Sequence, residues 1–92
     1  MNAQQIINSV AEFFQLKSED IIHSQKMPNR MYRHISIYLC TKYTMCSYKS
    51  LCSDFSLKSK GSIAKSVQAV KRLEGKPIMK SLLDIEKILK GE

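Results

Sequence analysis

The sequence predicts an all-α fold, a compact bundle of about five to six helices. Apolar residues recur at i, i+3, i+4 and i+7 in successive segments, the signature of amphipathic helices. Between those segments stand Ser, Asn, Gly and Pro at positions suited to caps and turns. No segment sustains the period-2 alternation that a half-buried strand requires, so no sheet is expected. A chain of 92 residues suits one small domain, 1–92, with a real but modest core.

Each element follows from its own pattern. In residues 3–15, Ile6, Ile7, Val10, Phe13 and Phe14 make an apolar stripe. Leu16 and Lys17 break it. Ser18, followed by Asp20 and the pair Ile21–Ile22, reads as a capped short helix. Residues 23–29, HSQKMPN, read as a loop punctuated by Pro28. A longer helix is expected over 29–42, burying Ile35, Tyr38 and Leu39, with Tyr43 continuing the stripe. Thr44, Met45 and Cys46 make a turn. Ser47 suits the cap of a short helix running to Asp54, with Leu51 and Cys52 inward and Tyr48 a further core candidate. Residues 55–58 form a tight turn. Ser59 is placed to cap a helix over 59–73 whose inward face holds Ile63, Val67, Val70 and Leu73. Glu74, Gly75 and Lys76 end it. Pro77 suits the first position of a final helix, 77–90, with Ile78, Leu82, Ile85 and Leu89 as its stripe.

The net charge of +7 is unevenly distributed. From Ile21 to Ser53 the chain carries Lys26, Arg30, Arg33, Lys42 and Lys49 and no acid. From Phe55 to Leu73 it carries Lys58, Lys60, Lys65, Lys71 and Arg72, again with no acid; only Asp54 interrupts. The remaining acids lie toward the two ends. A basic centre between mixed-charge ends points to a polyanion partner, against the plain alternative of a generally basic solvated surface. Positive charge at the start of the 29–42 helix opposes the helix macrodipole, a further small reason to expect an anion there.

The centre therefore reads as a short helix, a tight turn and a second helix rich in Lys and Ser, which is helix-turn-helix spacing. In that motif the second helix brings its N-terminal residues to base edges in the major groove. With Ile63, Val67 and Val70 turned inward, helical geometry points Lys60, Ser62, Lys65, Ser66, Ala69 and Arg72 outward. The candidate DNA-contacting residues are Lys26, Arg30, Arg33, Ser47, Lys58, Ser59, Lys60, Gly61, Ser62, Lys65, Ser66 and Arg72. Gly61 costs helix stability, and its expected use is close backbone approach to a duplex.

Three stretches, VAEFFQLKSEDII (10–22), YRHISIYLCTKYT (32–44) and S-x-x-x-L-x-x-x-F (47–55), resemble the C-terminal DNA-binding domain, domain IV, of bacterial DnaA replication initiators. The resemblance spans nearly the whole chain and implies a Trp repressor-like helical fold with a helix-turn-helix. It also implies a basic loop, about 26–33, that reaches the minor groove and backbone, and a recognition helix that reads the major groove of double-stranded DNA. In that family a Gly-Gly-Arg-Asp-His and two threonines surround the recognition helix. Here Ser56, Leu57, Lys58, Ser59, Lys60, Gly61 and Ser62 stand at those places. Only a basic residue and one hydroxyl are kept, so recognition of the family's usual DNA box does not carry over. The version SKGSIAKSVQAVKRL (59–73) looks more like DnaA-type tails of transposases that act at repetitive palindromic elements.

Catalysis is not expected. Gly61 and Lys65 only half-match a phosphate-binding Walker loop, and no strand pattern precedes them. His23 and His34 are too far apart for a transposase metal motif, and His34 reads as a helix-surface residue. Tyr32, Tyr38, Tyr43 and Tyr48 read as packing residues with polar tips. Cys40, Cys46 and Cys52 lack C-x-x-C spacing and read as reduced thiols, so no metal, cofactor or small-molecule substrate is expected. No stretch reaches the length of a membrane span, the split basic residues do not suit an acidic membrane surface, and the start MNAQQIINSV has no signal-peptide pattern. The expected location is the bacterial cytoplasm. The alternative to DNA binding is a protein-interaction module that uses the amphipathic helix 77–90.

Overall fold

The computed structural model describes residues 2–23, 29–57 and 59–91. Along them run α1 (Ala3–Phe13), α2 (Ser18–Ile22), α3 (Asn29–Tyr43), α4 (Tyr48–Asp54), α5 (Lys60–Lys71) and α6 (Ile78–Leu89), with no strand among the described residues. The helix starts are fixed locally. Asn2 and Gln5 form a reciprocal capping box on α1, with bonds of 2.9 and 2.8 Å. At α2 the expected cap shifts by one residue. Lys17 takes the N-cap position and its N–H donates to the Asp20 carboxylate at 3.0 Å. Ser18 instead donates its hydroxyl to Asn8 on α1 at 2.7 Å. Ser47 caps α4 as expected, accepting from the Ser50 N–H at 3.1 Å.

α3 is the central element. It packs most extensively on α5 and also meets α1, α2 and α4, while α6 lies chiefly on α1. Ile6, Ile7 and Val10 of α1, Ile21 of α2, Ile35, Ile37 and Leu39 of α3, Leu51 and Phe55, Ile63 and Val70 of α5, and Leu82 and Ile85 of α6 form one continuous core. Burying a side chain of this size contributes roughly 1.5–3 kcal/mol. Phe14 stacks on Tyr32 with ring centroids 3.8 Å apart, joining the end of α1 to the start of α3. Lys42 of α3 pairs with the buried Glu86 of α6 at 3.0 Å, which holds the last helix against the bundle.

Burial departs from the expected pattern at several positions: Tyr38 and Cys52 are only half-buried. Tyr48 is exposed, because α4 turns Leu51 and Phe55 inward and leaves its first residue at the rim. Ser66, expected on the outer face of α5, is buried, and Val67 is only half-buried. The inner face of α5 is thus Ile63, Ser66, Val70 and Leu73, rotated from the expected stripe. A small hydroxyl fits there because α5 lies close on α3 and His34 supplies a partner.

Both α1 and α4 end in Schellman turns. After α4, the Leu57 N–H donates to the Cys52 carbonyl at 2.8 Å and the Ser56 N–H to the Ser53 carbonyl at 3.3 Å. This geometry places Ser56 at φ 55°, a left-handed conformation that suits glycine. Ser56→Gly therefore raises stability by about 0.5–1 kcal/mol, read as a higher midpoint in urea denaturation.

Candidate nucleic-acid interface

The helix-turn-helix consists of α4, α5 and the connection between them. The Schellman turn after α4 reverses the chain so that the N-terminal half of α5 comes beside the start of α3. Between them lies an open cleft of about 440 Å³. Arg30, Arg33 and His34 form the α3 wall, Ser56 and Leu57 the turn, and Ser62, Lys65 and Ser66 the α5 wall. Among the described residues no carboxylate lines it. The electrostatics are therefore one-signed, and three cationic side chains converge with hydroxyl donors on a single concave surface.

Arg30 and Arg33 lie at the start of α3, where the helix expected over 29–42 puts them, rather than in the basic loop of about 26–33 that the resemblance implies. Arg30 is exposed, whereas Arg33 is only 8% exposed and donates from a guanidinium nitrogen to the Phe55 carbonyl at 3.2 Å. Arg33 thus clamps the C-terminal end of α4 to α3 as well as lining the cleft. Burial, and then the Arg30 charge, push Arg33 down from its ordinary pKa. A guanidinium still remains charged at physiological pH. Lys26 and Lys58 lie outside the described residues.

On α5, Lys60 and Lys65 are exposed and Ser62 is half-buried at the cleft edge. Ser66 is the correction: its side chain turns inward and its hydroxyl lies 2.9 Å from His34 Nδ1. Arg72 is exposed but caps the opposite end of α5, about 18 Å along the helix axis from Lys60, so it does not join the cleft. Ser47 is exposed at the start of α4, its hydroxyl oxygen occupied by the Ser50 N–H. Gly61 has no steric need for glycine within the protein, since an added Cβ would meet only the Ser59 hydroxyl at 3.7 Å. Any need for it lies with an external surface.

Ser59 occupies the N-cap of α5 but its side chain makes no capping bond. Ser59→Asp supplies a stronger acceptor and a favourable charge at the helix N-terminus, so it raises stability by about 0.5–1 kcal/mol. The same carboxylate faces the basic surface and lowers affinity for a polyanion. Opposite signs in urea denaturation and in duplex titration identify this helix end as a binding edge.

His34 belongs to the site although it reads as an ordinary surface residue in the sequence. The signal was its spacing, since it stands one turn after Arg30 and adjacent to Arg33. Burial first, then the charges of Arg30 and Arg33, lower its pKa from the ordinary value. The neutral imidazole is therefore the form the fold favours. The unfolded chain takes up its proton at a higher pH than the folded one. Stability is full above the unfolded value, about 6.5, and falls as the pH drops below it toward the folded value.

The cysteines are free thiols: Cys40 is buried, and Cys46 and Cys52 are half-buried. Burial chiefly pushes the Cys40 thiol up to about 12, which leaves it protonated and unreactive. Among the described residues no group of three or more His, Cys, Asp or Glu side chains is placed to hold a metal ion. No helix among them is long and apolar enough to cross a membrane.

Residues 3–70 match the model of the family described as the bacterial dnaA protein helix-turn-helix, which spans well over half of the chain. The chain belongs to that family. The dnaA helix-turn-helix is a non-catalytic module that binds double-stranded DNA. The match covers α1 to α4 and nearly all of α5, and it stops before α6 begins. The cleft between α3 and α5 lies within the matched region. No curated protein matches the chain significantly.

Proposed function

We propose that the chain acts as a single module over 1–92 that binds double-stranded DNA with sequence preference and without catalysis. The observation that carries this reading is the carboxylate-free cleft of Arg30, Arg33, His34 and Lys65 at the leading half of α5. In this reading α5 enters the major groove, and Lys60, Gly61, Ser62 and Lys65 meet phosphates and base edges. Ser59 stands at its entry, and Arg30 and Arg33 meet the adjacent backbone. Ser62 and Gly61 replace the threonine pair of the resembled recognition helix, so the preferred sequence differs from the family's usual box. The biological setting is DNA recognition in replication initiation or, given the form of α5, in transposition, within the bacterial cytoplasm.

Titration of random and selected duplexes at several salt concentrations tests the reading. Log affinity falls linearly with log salt, with a slope of about −0.9 for each phosphate contacted. No binding at low salt overturns it.

A second reading, protein interaction through α6, is favoured by one observation. Leu83 and Ile88 are 51% and 57% exposed, and Leu83 borders a groove of about 530 Å³ between α3, α5 and α6. Leu83→Glu leaves duplex affinity unchanged under the DNA reading.

A further inference from the structure

Among the described residues, the cleft holds one histidine. His34 projects from α3 at the cleft wall, half-buried, with Nδ1 2.9 Å from the Ser66 hydroxyl on α5. Ser66 is itself 3% exposed, so this pair forms the cleft floor where the two helices meet. Among the described residues, the charged groups that line the cleft with His34 are all cationic. Arg30 and Arg33 stand on its own helix and Lys65 on α5. Among the described residues, the other elements packed on α3 bring no compensating charge to the cleft. Glu12 on α1, Glu19 and Asp20 on α2, His23 just after it, and Lys49 and Asp54 on α4 do not line it.

In the free protein this environment disfavours the imidazolium. A phosphate entering the cleft reverses the balance, because an anion there attracts the protonated ring. Neutral imidazole offers one donor and one acceptor nitrogen, and Ser66 uses the Nδ1 side. Once protonated, the ring donates from both nitrogens. Nδ1–H then bonds the Ser66 hydroxyl and the second N–H is available to a phosphate oxygen. The added proton comes from solvent, so binding and proton uptake are linked.

We propose that His34 is a proton-linked phosphate contact: DNA binding by this cleft takes up a proton at His34, and duplex affinity rises as the pH falls through the histidine range. Ser66 acts as the positioning residue that fixes the ring. The proposal rests on the DNA reading above and adds its regulation by pH.

The direct test follows the His34 ring signals by NMR through a pH titration of the wild-type protein, with and without a duplex. Duplex raises the His34 pKa. In parallel, duplex affinity is measured at fixed salt from about pH 8 down to about pH 5.5. Wild type tightens by up to about tenfold, the factor that corresponds to one pKa unit. His34→Gln removes most of that gain, and His23→Gln keeps it. An unchanged His34 pKa on binding, or an undiminished pH response in His34→Gln, overturns the proposal while leaving DNA binding intact. Absence of duplex binding at every pH instead removes the DNA reading, and this proposal with it.

Discussion

Lys65→Glu lowers duplex affinity by at least about tenfold at moderate salt, through loss of one phosphate contact and introduction of a repulsive charge. Lys65 is exposed on α5, and the cleft it borders contains Arg30 and Arg33 and, among the described residues, no carboxylate. The only ion pair among the described residues joins Lys42 to Glu86, on another face of α3. Folding therefore loses no partner when Lys65 is changed, and the stability change stays within about 0.5 kcal/mol. Lys65→Ala separates the two contributions. It removes the contact without adding repulsion, and it makes the salt slope shallower by about 0.9. Fluorescence anisotropy at several salt concentrations reads both quantities. Unchanged affinity in Lys65→Glu would mean that DNA does not meet this face of α5.

Phe55→Ala destabilises the fold by about 3–5 kcal/mol, as expected for emptying a fully buried aromatic site. Phe55 is completely inaccessible, the largest side chain in the core to be so, and follows the last residue of α4. Its carbonyl accepts the Arg33 guanidinium. The residue therefore anchors the helix-turn-helix turn to α3 through both ring and backbone. A domain of this size is stable by roughly 5–14 kcal/mol, so the loss is a large share of the whole. Urea denaturation reports it as a lower midpoint with a nearly constant slope. Leu51→Ala, one turn earlier in the same core, costs about 2–5 kcal/mol. A loss below about 1 kcal/mol for Phe55→Ala would contradict the packing described for the turn.

What was legible in the sequence follows the range of the interactions involved. The stripes of α1 and α6 are read directly from Ile6, Ile7 and Val10 and from Leu82 and Ile85, because periodicity encodes burial within one helix. The Ser47 cap is equally local. The rotation of α5 was not legible. Ile63, Val67 and Val70 fit an inward stripe as well as Ile63, Ser66 and Val70 do, and a serine gives no sign of burial on its own. Its partner, His34, is 32 residues away. Arg33 presents the same problem. A basic residue beside Arg30 reads as part of a solvated anion-binding patch, yet its burial depends on a carbonyl 22 residues later. The cap of α2 moved because the Asp20 carboxylate bonds the Lys17 N–H while Ser18 is drawn to Asn8, a contact between helices. Arg72 is grouped with the binding residues by its charge and its outward face, and the length of α5 separates it from the cleft.

The surface that meets DNA is the central claim, and amide NMR mapping with a duplex tests it most directly. The account predicts that the signals of Arg30 and His34 on α3, and of Lys60, Gly61, Ser62 and Lys65 on α5, move together and saturate at one duplex concentration. Those of Leu83 and Ile88 on α6 stay in place. Shifts confined to α6 or α1, with the α3–α5 cleft silent, would contradict it.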